Sequence, residues 1–244
     1  MHIDTSLVPL LQVKHFLSKK PVAAAKKSKK RPGPSPGRPT RSQSERRHNE
    51  LLARALDEFL EHGYELATID AIRASISMTK RTIYSLYEDK KMLFRAAVKR
   101  AIDEWTMPID ELRVLETDDL EATLTAIARV RVDYSISPIG LKLQRIINAE
   151  SYRFPDMARL MYEQGAVPTI RYLADLLERH AKHGKFVVED PEVLAQSFMS
   201  LLVGGPTRGV VLGRTADMRD IEMRIRINIR LFLNGIRARG RTYE

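Results

Sequence analysis

Cysteine is missing from all 244 residues of the chain. Disulfides, thiolate metal sites and cysteine nucleophiles are thereby excluded. No apolar run approaches the ~18 residues that a membrane span requires. The N-terminal region offers only Leu7–Leu11 as an apolar stretch, too short and too early for a secretory signal, so a cytoplasmic protein is expected. Paired carboxylates, a nucleophile elbow and a metal-binding helix motif are also wanting. The reading is therefore of a protein that is not an enzyme, with no cofactor and no metal.

Acidic residues are scarce in one place. Residues 1–47 hold 12 Lys/Arg against 2 Asp/Glu, whereas the other 197 residues hold 29 of each sign. The formal net charge of +10 therefore belongs to the N-terminal segment. A cationic arm on a neutral body points to a polyanionic partner, nucleic acid or an anionic membrane. Residues 18–43, SKKPVAAAKKSKKRPGPSPGRPTRSQ, also lack aromatics. Such a segment cannot bury enough apolar surface to offset its ordering entropy, so residues 1–43 are expected to form a disordered basic tail. Its PGRP run, residues 36–39, carries part of a minor-groove hook and makes Arg38 a candidate DNA contact.

Order is expected from Ser42-Gln-Ser-Glu45, which has capping-box spacing. Leu51, Leu52, Ala55, Leu56, Phe59 and Leu60 form the apolar stripe of a first helix that Gly63 ends. A short second helix starts at Thr68, with Ile69, Ile72 and Ile76 turned inward. After a turn at Ser77-Met78, a third starts at Thr79 and a fourth runs from Asp89 to about Trp105. Beyond Pro108, helices are expected over 118–135, 138–152, 155–183, 191–212 and 217–238. Pro138, Pro155 and Pro191 suit first turns. Phe186-Val-Val188 reads as a connector, and Gly204-Gly205-Pro206 as a helix kink. The fold class is all-α: a small helical domain over 44–104, then a larger one over 105–240.

The most informative stretch is SMTKRTIYSLYEDKKMLF, residues 77–94. On a helix, Lys80, Arg81, Tyr84 and Ser85 share one arc of about 140°, and Ile83 and Leu86 lie opposite. From Ala71 to Tyr87 there is no acidic residue. Phosphates call for cations, hydroxyls and helix N-terminal amides; base edges in the major groove call for donors such as Arg and Lys. Two short helices joined by a tight turn, the second bearing that face, make a helix-turn-helix.

Residues 67–98, ATIDAIRASISMTKRTIYSLYEDKKMLFRAAV, resemble the DNA-binding domain of TetR/AcrR-family transcriptional regulators. The matching positions are Thr68, Ile72, Thr79 through Tyr84, Tyr87, Asp89 and Lys90. Ser77 stands where the family usually has a turn glycine, so a left-handed residue there would be costly. Arg81 stands where a glycine is common. The resemblance implies a homodimer on a near-palindromic operator, released by a small-molecule effector of unknown identity. It places Thr68, Thr82, Tyr84 and Lys90 on phosphates and Lys80, Arg81 and Ser85 toward bases, with Thr79 and Tyr87 in the same interface. The C-terminal region is similar to the AefR-like ligand-binding domain.

Within that region Tyr134, Tyr152, Phe154, Met157, Met161, Tyr162, Phe198 and Met199 are candidates to line an apolar effector pocket. The last helix carries two apolar stripes: Met218, Ile221, Ile225, Ile229, Phe232 and Ile236 on one side, Met223, Ile227 and Leu231 on another. Burial on two sides implies a partner, and the expected dimer interface is Ile221, Ile225, Ile229 and Phe232. His180 and His183 have metal-compatible spacing but no third ligand nearby; a solvated helix end suits them better. The rival function is an architectural DNA-binding protein without an effector. An enzyme borrowing a basic tail would need a catalytic constellation that the sequence does not show.

Overall fold

The computed structural model describes residues 41–184, 186–204, 208–210 and 217–237. The expected disorder of residues 1–40, and Arg38 with it, lies outside the described residues. The packing below is that of Glu45–Glu244, one compact unit.

Eleven α-helices follow one another among the described residues: α1 (Arg41–Leu66), α2 (Ile69–Ala74), α3 (Lys80–Leu86), α4 (Lys90–Trp105), α5 (Ile109–Arg113), α6 (Leu120–Ile136), α7 (Pro138–Glu150), α8 (Pro155–Gly165), α9 (Val167–Ala181), α10 (Pro191–Met199) and α11 (Met218–Ile236). A π-helical turn, Ser200–Gly204, continues α10. The one β-type contact among the described residues is an isolated bridge between Phe186 and Arg237, beside a 2.8 Å bond from Val187 N–H to the Ile236 carbonyl. Phe186-Val-Val188 is thus a connector, as expected.

Local chemistry sets most boundaries. The Thr68, Thr79 and Asp89 side chains accept from the Ala71, Thr82 and Met92 amides at 3.1, 3.1 and 2.7 Å, capping α2, α3 and α4. Gly63, at φ 74°, breaks α1 with a left-handed residue that only glycine adopts cheaply. No non-glycine residue has positive φ among those described. Ser77 therefore carries no left-handed penalty. Helix α1 already includes Arg41 and Ser42, slightly earlier than the capping-box reading placed its start.

Three differences from expectation have clear causes. The span 155–183 is two helices, because Pro168 lacks an amide to continue α8 and takes a first-turn position in α9. The one-turn helix α5 is too short to show a period. At the end of α10 the π turn replaces a continuous α-helix, and the Leu201 carbonyl accepts instead from the Asn228 side-chain amide of α11 at 2.7 Å.

The core does not divide at residue 104. Leu51, Ala55, Phe59, Ile72, Ile83, Leu93, Phe94 and Val98 pack in one cluster with Ile146, Ile147, Phe154 and Met157. Phe94 lies 4.3 Å from Phe154 and 5.0 Å from Phe59, ring centre to ring centre, and Tyr64 is 4.9 Å from Phe154. Arg95 clamps Asp156 with two bonds, 2.7 and 3.1 Å. Helix α4 thereby joins the first helices to α7 and α8 through shared core and a bidentate ion pair. Gly140 permits the tight turn between α6 and α7: a Cβ there would lie 2.5 Å from the Tyr134 carbonyl oxygen.

Candidate functional site

Helix α3 is held from below and left open above. Ile83 is 1% exposed and anchors it in the core. Lys80, Arg81, Thr82, Tyr84 and Ser85 are all exposed. Leu86, expected inside, is exposed because α3 ends with it. Tyr87 takes the inward place instead, half-buried, with its hydroxyl 3.1 Å from His48 Nε2 and its ring stacked on that histidine.

The hydroxyls are partly committed. Thr68 and Thr79 are helix caps, the Thr79 and Thr82 hydroxyls lie 2.8 Å apart, and Ser85 donates to the Thr82 carbonyl. Cap hydroxyls keep spare hydrogen-bonding capacity toward phosphate oxygens. Asp70 is the group that sequence reasoning overlooked. It accepts from Arg73 Nε at 2.7 Å and from Lys80 Nζ at 2.9 Å, tying α2 to α3. Hydrogen bonding from Arg73 and then Lys80 holds its carboxyl below the usual range, and the same bond raises Lys80. The Arg73 partnership is legible from i, i+3 spacing; the Lys80 one needs the fold. Arg81 forms no ion pair with any described residue.

Lys90 departs from the phosphate role implied for it. Its ammonium donates to the carbonyls of Tyr64, Glu65 and Ala67 at 2.8, 3.1 and 3.1 Å and lies 4.5 Å from the Tyr64 ring centre. All three donor positions are used in closing the end of α1.

The expected pocket residues scatter. Tyr152 is 101% exposed. Phe154 and Met157 belong to the shared core around Phe94. Phe198 packs on Phe232 at 5.0 Å. Tyr134 is half-buried and offers its carbonyl to Trp105 Nε1 and Ser137 Oγ. Met161, Tyr162 and Met199 do line a common cavity, of about 500 Å³. Its other walls include Trp105, Arg131, Gln144, Asn148 and Ile170, with the π turn contributing Val203. A larger cleft, about 940 Å³, lies by Arg113, Glu116, His180 and His183 and is walled mainly by charged residues. The two histidine rings are 6.4 Å apart. Among the described residues no group of three potential ligands could hold a metal.

The stripe of α11 expected at the dimer interface is the buried one. Ile221, Ile225, Ile229 and Phe232 are 2–6% exposed against the chain's own helices and cannot meet a partner. Met223, Ile227 and Leu231 are 47%, 55% and 61% exposed. Asp220 pairs with Arg224 at 2.7 Å as spacing predicts, whereas Glu222 turns to Arg129 of α6.

The sequence profile described as bacterial regulatory proteins, tetR family, matches residues 51–97, and that of the AefR-like transcriptional repressor C-terminal domain matches residues 122–235. The flavonoid-responsive regulator FrrA is 30% identical, with 80% of this chain and 100% of that one covered and a TM-score of 0.63. The chain belongs to the TetR family. It is a DNA-binding transcriptional regulator. A TetR-family regulator from Mesorhizobium loti MAFF303099 shares the fold at TM-score 0.68 and 23% identity, over 82% of this chain and 100% of that one. So does a regulator from Saccharomonospora viridis, solved with choline, at 0.59 and 21%, over 81% and 100%. A search of curated proteins returns no match. No helix among the described residues is long and apolar enough to cross a membrane. In this TetR-family chain, α2 and α3 form the helix-turn-helix.

Proposed function

We propose that the protein is a repressor that binds a near-palindromic operator as a homodimer and leaves it when a small molecule occupies the 500 Å³ cavity. The supporting observation is the α3 surface. Lys80 and Arg81 stand exposed on a helix fixed by the Thr79 cap and the buried Ile83. Each protomer lays this helix in the major groove, with Arg81 and Lys80 toward base edges and Tyr84 and the cap hydroxyls toward phosphates. Dimerisation runs through Met223, Ile227 and Leu231, an apolar row otherwise left in water.

Release follows from the shared core. Helix α8 contributes Met161 and Tyr162 to the cavity, while Phe154 and Asp156, at its start, hold Phe94 and Arg95 of α4. A ligand that binds better when α8 is displaced shifts α4, and with it the separation of the two recognition helices. FrrA is named for its response to flavonoids and the Saccharomonospora viridis protein was solved with choline; relatives that take small molecules support an effector here.

Binding-site selection from random duplexes, followed by footprinting on the selected site, tests this reading. The expected result is a two-fold symmetric site with half-sites about one helical turn, ~34 Å, apart. Uniform protection without sequence preference would instead favour an architectural protein.

A further inference from the structure

Arg131 sits on α6 in a run of apolar neighbours and is 7% exposed. Burial lowers its pKa to about 10, so it is still charged at neutral pH. Yet the chain supplies it with little. Nη2 donates to the Gly165 carbonyl at 3.0 Å, Nε has no hydrogen-bond partner, and no carboxylate among the described residues pairs with it. A buried charge is normally paired, because the desolvation cost is otherwise uncompensated.

Arg131 lines the 500 Å³ cavity, where it is the single charged residue among the described ones. The remaining polar groups there, such as Gln144 and Asn148, are neutral; Trp105, Ile147, Met161, Ile170, Met199 and Val203 supply the apolar wall. One cation in an otherwise neutral, largely apolar chamber balances one negative charge, not the several of a phosphorylated compound. Guanidinium also matches a carboxylate geometrically, offering parallel donors to its two oxygens.

We propose that the cavity takes a monoanionic organic acid, an apolar body bearing one carboxylate, and that Arg131 receives that carboxylate. The assignment rests on the effector-release reading above and names its ligand class. It also supplies a lever. The Gly165 carbonyl that Arg131 holds is at the end of α8, whose other end meets Phe154 and the Phe94 core. Gln164 Oε1, one residue earlier, is likewise buried without a partner. A carboxylate drawing Arg131 toward the cavity competes with Gly165 and loosens α8 at its junction with α9.

Trp105 lines the cavity and is the chain's one tryptophan, so its fluorescence reports occupancy directly. The probes are octanoate and 3-phenylpropanoate, each against its uncharged amide, at pH 7 on the full chain. The acids are expected to change Trp105 emission saturably and to bind about 10- to 100-fold tighter than the amides, the worth of a charge-assisted hydrogen bond. Arg131→Met should erase that preference. Equal binding of acids and amides, an acid preference that survives in Arg131→Met, or no binding of either acid up to its solubility limit would each overturn the proposal. The wild-type acid–amide comparison decides alone if the variant misfolds. Acids that bind without releasing operator would leave the anion site standing and sink effector release. Amides that release operator while acids fail to bind would do the reverse.

Discussion

Lys90 and Arg131 are both cations drawn away from bulk water, and the chain completes one but not the other. Lys90 meets three backbone carbonyls and an aromatic face. Arg131 meets one carbonyl and keeps an unpartnered Nε. The same division runs along α11, where the Ile221–Ile225–Ile229 row is buried by its own chain and the Met223–Ile227–Leu231 row is left in water. Groups completed from within hold the fold. In the proposed reading, groups left incomplete await what arrives from outside: an anion at one, a second protomer at the other.

The largest effect should come from testing the two rows of α11 against each other. Ile225→Glu with Ile229→Glu puts two carboxylates into a core where both positions are 2% exposed. Each uncompensated charge costs several kcal/mol, against a total stability of roughly 5–15 kcal/mol, so this variant should not fold. Ile227→Glu with Leu231→Glu, at 55% and 61% exposure, should fold and run as a monomer that binds a palindrome weakly. Sedimentation and far-UV circular dichroism read both outcomes. A dimeric Ile227→Glu/Leu231→Glu protein would move the interface elsewhere.

Next in size is the completed cation. Lys90→Met leaves the carbonyls of Tyr64, Glu65 and Ala67 without their donor. With water reaching some of them, the expected loss is about 2 kcal/mol by denaturant titration, whereas Lys91→Met on the exposed side should stay within about 0.5 kcal/mol. Operator preference should survive at temperatures where the variant is folded. A stable variant with uniformly weakened DNA binding would restore Lys90 to the phosphate contacts.

These contrasts also mark what the sequence could and could not disclose. The caps at Thr68, Thr79 and Asp89, the break at Gly63 and the reading face of α3 depend on residues within a few positions of one another, so spacing alone reveals them. The Lys90 carbonyls lie 23 to 26 residues away and Glu222's partner Arg129 lies 93 away; no local pattern carries such contacts. Periodicity exposes two apolar stripes on α11 but not which faces home, since that depends on helices distant in the sequence. Phe154 and Met199 look alike as pocket candidates, yet one is a core residue beside Phe94 and the other a cavity wall. Arg131 is hidden most thoroughly, because composition gives no warning that an arginine is buried. Pro168 is a local sign of the α8–α9 break that the expected 155–183 span passes over.

The reading face supplies the third test. Lys80→Ala and Arg81→Ala should each relax base preference, by about 5- to 150-fold for a good bidentate or pointed base contact. Tyr84→Phe should instead weaken binding to all sequences alike. Selection from random duplexes separates the two patterns. Wild-type preference in both the Lys80 and Arg81 variants would remove α3 from the major groove.

Asp70→Asn should have the smallest effect, and it concerns a cation between the two extremes. Lys80 is exposed, yet in free protein its ammonium lies 2.9 Å from Asp70, which Arg73 shares. On reaching DNA it must exchange that carboxylate for a phosphate or base acceptor. The exchange is nearly even in energy, since exposed pairs are well screened at physiological salt. Neutralising Asp70 removes the competitor and frees two cations. Affinity for operator and scrambled duplex should therefore rise together by no more than a few-fold, with a steeper fall of log affinity against log salt if either freed cation then releases a counterion. Base preference should not move, because Lys80 and Arg81 are intact. Salt titrations on the two duplexes measure all three quantities. Weaker operator binding in Asp70→Asn would mean that the carboxylate aims Lys80 at its base, making the pair a positioning device completed from within, on the side of Lys90.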